Sequence, residues 1–257
     1  MSTLCDKAVE ILSTADPDTK VSATYAVAEA WRAGKLDVGR AAPPDRPGRP
    51  ARPELLQPRD MPCRSTGPVG RIALVHALAH IELNAIDLAW DIIARFGSDM
   101  PRAFNDDWVQ VAVEEAEHYA ALAARLPELG SFYGELPAHD GLWGAAMRTA
   151  DDLAARLALI PMTLEARGLD TTPHTTEKLR AAGDEPTAAI LDTIYRDEIK
   201  HLAVGIRWFE HLCPNPHTRY VELINERFPG GLKPPFNMEA RAQAGMRKDY
   251  MEPWLKA

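Results

Sequence analysis

Between Val69 and Leu212, apolar residues recur every three or four positions in four long runs, the period of an amphipathic α-helix. The first run spans about Val69 to Phe96 and stops at Gly97. The second opens at Asp106 or Asp107, side chains that cap helix N-termini, and reaches about Leu129 with Gly130 behind it. The third covers about Leu142 to Arg167, with Gly168 in the stop position. The fourth runs from Pro186, a first-turn proline, to Leu212 and ends in Cys-Pro-Asn-Pro. Short connections join the first run to the second and the third to the fourth, so each pair is expected as an antiparallel hairpin. Two shorter amphipathic helices precede them. One lies near Leu4 to Leu12, and the other carries Val21, Tyr25, Ala28 and Trp31 before Gly34. A further helical piece is expected from about Thr218 to Arg227. No run has the two-residue alternation of a half-buried strand. The expected fold is all-α: a four-helix bundle over 69–213, preceded by N-terminal helices and a Pro/Arg-rich arm (1–68) and followed by a C-terminal extension (214–257).

Composition changes the picture at the flanks. The chain has 21 prolines in 257 residues. Eight fall between Pro43 and Pro68 and five between Pro214 and Pro235, while the stretch from Val69 to Cys213 holds six. The tail also carries the apolar anchors Phe236, Met238 and Met246, and both flanks are expected to wrap the bundle rather than hang free. A net charge of -8 argues against a protein built to grip nucleic-acid phosphates. Arg40, Arg46, Arg49, Arg52 and Arg59 make a local basic patch, read as a solvated, proline-stiffened connector. Cys5, Cys63 and Cys213 form no Cys-x-x-Cys pair, which suits free thiols in a reducing compartment and excludes a zinc ribbon. The N-terminus lacks a basic segment followed by an apolar run, and no stretch of about 18 uninterrupted apolar residues exists. A cytoplasmic protein is expected, with no membrane partner.

The informative residues are acids on apolar faces. Helical spacing aligns Glu82 with Leu78, Ala85 and Ala89. It aligns Glu115 and His118 with Trp108, Val111 and Leu122, Glu165 with Ala158 and Met162, and Glu198 and His201 with Leu191, Ile194 and Leu202. Each helix thus turns one carboxylate inward, and two helices add a histidine. A buried ionised carboxylate costs several kcal/mol unless it is paired or bound to a metal. Two divalent ions would cancel four such charges. Residues three apart on a helix project side by side, so each Glu-x-x-His can grip one ion. One Glu from each of two helices plus Glu-x-x-His from each of two others is the ligand set of carboxylate-bridged dinuclear bundles. The spacing strengthens the reading, because 33 residues separate Glu82 from Glu115 and 33 separate Glu165 from Glu198. The competing reading is a bundle whose acids pair with nearby arginines.

Several stretches together resemble a known family. They are His80-Ile81-Glu82 with Ala85-Ile86-Asp87, Glu114-Glu115-Ala116-Glu117-His118, and Pro137 to Trp143, followed by Leu164 to Asp170 and Arg196 to His201. The chain is similar over most of its length to the ferritin-like superfamily, and within it to the bacterial group DUF455. The resemblance implies a ferritin-like bundle and a di-iron centre, and it implies no substrate. Asp87 departs from the glutamate expected there and is not counted as a ligand.

The expected metal ligands are therefore Glu82, Glu115, His118, Glu165, Glu198 and His201, holding two iron ions, with manganese as the other metal to consider. Glu82 and His118 would hold one ion, Glu165 and His201 the other, and Glu115 and Glu198 would bridge. The expected function is oxidation or hydroxylation of a small organic substrate by O2, in a monomer or homodimer. The alternatives are a ferroxidase or iron-handling protein and a structural metal site. His76 and His80 are read as supporting residues rather than a second metal pair, His139 and Asp140 as a turn, and Asp197 and Glu114 as possible partners of the ligating histidines. Pro161, one turn before Glu165, is expected to bend its helix.

Overall fold

A computed structural model describes residues 2–62, 64–65 and 67–255; Cys63 lies outside the described residues. The chain is all-helical, and no strand forms among the described residues. It folds as two compact units, Met1–Trp143 and Gly144–Ala257.

The first unit is built on α1 (Leu4–Ser13), α2 (Pro17–Arg32), α3 (Pro68–Phe96) and α4 (Arg102–Glu128). A capping box starts α1: the Thr3 hydroxyl accepts from the Asp6 amide, and the Asp6 carboxylate accepts from the Thr3 amide. The long hairpin α3–α4 is the body of the unit, with α1 laid on α3 and α2 on α4. Asn105 secures the connection by donating to Gly97 O at 3.1 Å. A side chain at Gly97 would strike the Asn105 amide oxygen at 2.3 Å, which explains the glycine. Helix α4 begins four or five residues before the expected Asp106 or Asp107. Asp106 lies inside the helix and accepts from Trp31 Nε1 at 2.8 Å, so its carboxylate is spent on α2 rather than on a cap. Helix α3 is long and apolar enough to pass as a membrane span, but 78% of that window is buried inside the protein, as suits a core helix.

The Pro/Arg-rich arm is seated on these helices, where the sequence suggested a solvated connector. Gly48 N donates to Leu12 O at 2.7 Å, and a Cβ there would meet Ser13 O at 2.4 Å. Arg49 donates to Asn84 Oδ1 at 2.5 Å and lies 2.7 Å from Asp87 Oδ2. Asp87 also accepts from Lys20, so one buried carboxylate binds cations from α2 and from the arm. Further along, an isolated bridge pairs Leu55 with Ala138.

The second unit does not contain the single third helix that the sequence suggests. A short helix α5 (Gly141–Met147) ends in a turn. Then α6 (Leu153–Leu159) passes through a π-helical turn (Ile160–Glu165) into α7 (Ala166–Ala181). Gly168 lies within α7 without a positive φ, and the stop is Gly183, at φ 77°. Helix α8 (Glu185–Leu212) begins at a capping Asp184 and packs along α7. The tail adds α9 (Pro216–Arg227), the expected C-terminal helix, and α10 (Met238–Gln243), which the sequence reading missed. Asn237 joins the tail to α7, with its amide nitrogen donating to Leu169 O at 3.1 Å. That carbonyl stands four residues before Pro173, which has no N–H to give it. The tail therefore supplies the hydrogen bond that lets α7 continue through a proline.

Candidate metal centre

In the first unit the inward stripe of α3 presents Glu82, and that of α4 presents Glu115 and His118. All three are buried, at 4%, 1% and 2% exposure. Their ligand atoms lie within 4.8 Å of one another. His118 Nδ1 stands 3.3 Å from Glu115 Oε2 and 3.4 Å from Glu82 Oε2. Burial pushes the Glu82 carboxyl well above its usual range, and the facing Glu115 carboxylate pushes it further, against the pull of His118. Burial works against the His118 imidazolium, but its hydrogen bonds to Glu115 and Glu82 outweigh that and push it up to about 11.

Two carboxylates so close in a dry site require positive charge between them, which a proton on His118 or a metal ion can supply. The donor set is carboxylate oxygen and imidazole nitrogen without thiolate, which suits iron, manganese or zinc. Among the described residues, Cys5 is occupied elsewhere, donating to Gly39 O and Ile93 O. The residues of this unit fit a divalent cation.

In the second unit Glu198 and His201 sit three apart on α8, with His201 Nδ1 3.8 Å from Glu198 Oε1. His201 is buried, and the Glu198 side chain is 12% exposed. Glu165 is the last residue of the π-helical turn. That turn lies directly on α8, because Gly205 leaves room for Pro161: a Cβ at Gly205 would come within 2.8 Å of the proline ring. Gly205 is four residues beyond His201, on the same helical face as Glu198. Where the sequence suggested a bend at Pro161, the chain forms a π-helical turn, a feature that recurs at functional sites. Thr163 Oγ1 supports the turn by donating to Ala158 O at 2.8 Å.

The neighbouring polar residues have structural partners. His76 Nε2 accepts from Gly134 N at 2.9 Å, and His80 Nδ1 meets Tyr133 OH at 2.9 Å. The Tyr133 ring stacks on His76 and His80 and meets Tyr119 edge-on. Gly141 N donates to His139 Nδ1 at 3.3 Å, closing the turn there. Asp140 lies 3.8 Å from both Arg46 and Arg49. Glu114 accepts from Gln110, and Asp197 from Lys200. Sequence reasoning missed Tyr133 and the Asp87–Lys20–Arg49 cluster, since neither stands on a periodic face with its partners. The one available signal was Asp87 itself, an acid amid the apolar residues of α3.

A protein of Haemophilus influenzae, described as uncharacterized, is 39% identical over 217 residues, covering 80% of this chain and 75% of its own length. No solved structure matches the chain. The family model described as "Protein of unknown function (DUF455)" matches residues 13–252. With nearly its whole length matched, the chain belongs to the DUF455 family.

Proposed function

We propose that this protein is a ferritin-like four-helix-bundle enzyme that uses a carboxylate-bridged di-iron centre to oxidise or hydroxylate a small organic substrate with O2. The observation that carries the reading is the buried trio Glu82, Glu115 and His118, with ligand atoms within 4.8 Å of one another. It is supported by a second Glu-x-x-His, Glu198 and His201, and by the repeated 33-residue spacing that assigns Glu165 to the same role as Glu82. In this reading Glu82 and His118 would hold one ion and Glu165 and His201 the other, with Glu115 and Glu198 as the carboxylates they would share. When bound, the metal pair supplies the electrons and the Lewis acidity that O2 activation needs, with an external reductant completing each turnover. The protein's part is to hold four carboxylates in a dry site, where the charge of two divalent ions offsets the cost of burying them. Trp108, Val111 and Leu122, which share the helical face of Glu115, are buried with it.

The test is anaerobic loading with Fe(II) followed by exposure to O2, watched by optical and Mössbauer spectroscopy beside metal analysis. Coupled ferric ions and about two metal ions per chain are expected. Fewer than about one iron or manganese ion per chain would overturn the reading. Assembly into a large shell on sizing would favour iron storage instead.

A further inference from the structure

The second unit contains a cavity of about 310 Å3, at the lower end of the range that holds small organic ligands. One wall is Thr163 and Leu164, the two residues immediately before Glu165 in the π-helical turn. The facing wall is the tail loop, where Phe228, Leu232 and Phe236 supply apolar surface. Three cationic side chains line the cavity, Arg167, Lys233 and Arg241, against the single carboxylate of Asp170. Asp170 is already matched. Arg241 grips it through two nitrogens, at 2.9 and 2.7 Å, in an ion pair whose side chains are both almost fully buried. Arg167 Nη1 also lies 3.2 Å from Asp170 Oδ2, yet three cations against one carboxylate leave a net positive charge in the lining, in a chain of net charge -8. Lys233 is exposed at the rim, Arg167 is 43% exposed, and Leu232 is buried. Leu164, Phe228 and Phe236 are half-buried, so the cavity offers apolar surface beside the exposed Lys233 ammonium.

We infer that this cavity binds a small amphipathic carboxylic acid, its carboxylate at Lys233 and Arg167 and its hydrocarbon body against Leu164, Phe228 and Phe236. A carboxylate matches these two cations, and an apolar chain or ring gains burial against the apolar surface. Leu164 in the cavity wall is followed in sequence by Glu165, a residue assigned to the metal centre that does not itself line the cavity. The ligand's role as substrate rests on the dinuclear reading; its binding does not. The loop that forms the far wall is held by chain geometry. Gly231 has φ 59°, and a side chain there would strike Trp254 Nε1 at 2.1 Å, while Arg167 Nη1 donates to Lys233 O at 3.0 Å and Pro235 O at 2.9 Å.

The experiment is isothermal titration of the full chain with decanoate, decanol and decylamine, before and after iron loading. Decanoate is expected to saturate at one molecule per chain and decylamine to show no saturable binding. Lys233→Glu, at an exposed position, should weaken decanoate at least tenfold, leave decanol unaffected and keep the iron content of the loaded protein. Absence of saturable decanoate binding, equal affinity for decylamine, or an unchanged decanoate affinity in Lys233→Glu would each overturn the inference. Iron uptake without decanoate binding removes the cavity's assignment alone. Decanoate binding without iron uptake removes the dinuclear reading and the substrate role, and leaves an acid-binding cavity.

Discussion

The two units carry the same three residues, Glu, Glu and His, at the same sequence spacing, yet they mount them on different backbones. In the first, Glu82, Glu115 and His118 stand on two uninterrupted helices of 29 and 27 residues. In the second, Glu165 ends a π-helical turn between two shorter helices. The residues around the donors record the difference. Four positions before the first carboxylate stands Leu78 in one unit and Pro161 in the other. Seven positions after the Glu of Glu-x-x-His stands Leu122 in one and Gly205 in the other. The leucines suit ordinary side-chain packing along the first hairpin. The Pro–Gly pair brings a widened turn against α8 and exposes its flank to a cavity. The lesson is that the same sequence spacing of Glu and Glu-x-x-His can be carried by an unbroken helical hairpin in one unit and by a π-helical turn in the other.

The largest effect that bears on this comparison is loss of metal. Glu115→Ala should abolish metal binding, read as metal per chain after reconstitution, and an unchanged content would sink the assignment. Next come the two buried carboxylates that hold the flanks, Asp87 and Asp170. Replacing one partner of a buried ion pair costs about 3–5 kcal/mol. Asp87→Asn should fall at the upper end, since it strands both Lys20 and Arg49, which are 1% and 17% exposed, and Asp170→Asn lower, since of its two cations only Arg241 is buried and Arg167 is 43% exposed. Chemical denaturation that ranked them in the reverse order would refute this account of the flanks. Burial pulls the Lys20 ammonium down and pushes the Asp87 carboxyl up, against the attraction between the two groups.

A smaller effect separates the two mounts. Gly205→Ala should cost about 1–3 kcal/mol by forcing Pro161 away from α8. It should also weaken metal binding at Glu165 without altering the folding of the first hairpin. An alanine variant as stable as the parent would mean that the Pro161 contact is loose. The smallest effect is a pH slope. Burial holds the His76 imidazole down at about 4. Below the ordinary histidine value near 6.5, the unfolded chain takes up a proton that the fold refuses. The stability contributed by neutral His76 is thus present above pH 6.5 and lost as pH falls towards 4. In His76→Gln the melting temperature should fall less steeply over that window; identical slopes would show that His76 titrates normally.

The long helices α3, α4 and α8 were legible because their apolar stripes run unbroken and their ends carry Gly97, Gly130 and Pro186. Their inward acids were legible for the same reason. The stretch from Leu142 to Ala181 was not. Gly168 looks like a stop, and Asp170-Thr171-Thr172-Pro173 looks like a loop, by every local criterion. The helix survives because Asn237, far along the chain, supplies the donor that Pro173 lacks, and because the Thr171 and Thr175 hydroxyls bond back to carbonyls one turn earlier. A stabilising contact that distant leaves no periodic mark. The same holds for Arg49: five arginines among prolines read as solvated connector until Asp87, on α3, is found beneath one of them.

The seating of that arm has a consequence for how the protein meets proteases. Arg46, Arg49 and Arg52 each precede a proline, and trypsin does not cut such bonds. Arg49 is in addition held by Asn84 and Asp87. Arg40 and Arg59 instead precede Ala41 and Asp60, and their side chains are 68% and 85% exposed. A brief digestion should therefore nick the arm after Arg40 and Arg59 while the segment from Arg46 to Pro53 stays attached to α3. The arm would remain in place as a cleaved strap, its grip on Asp87 intact.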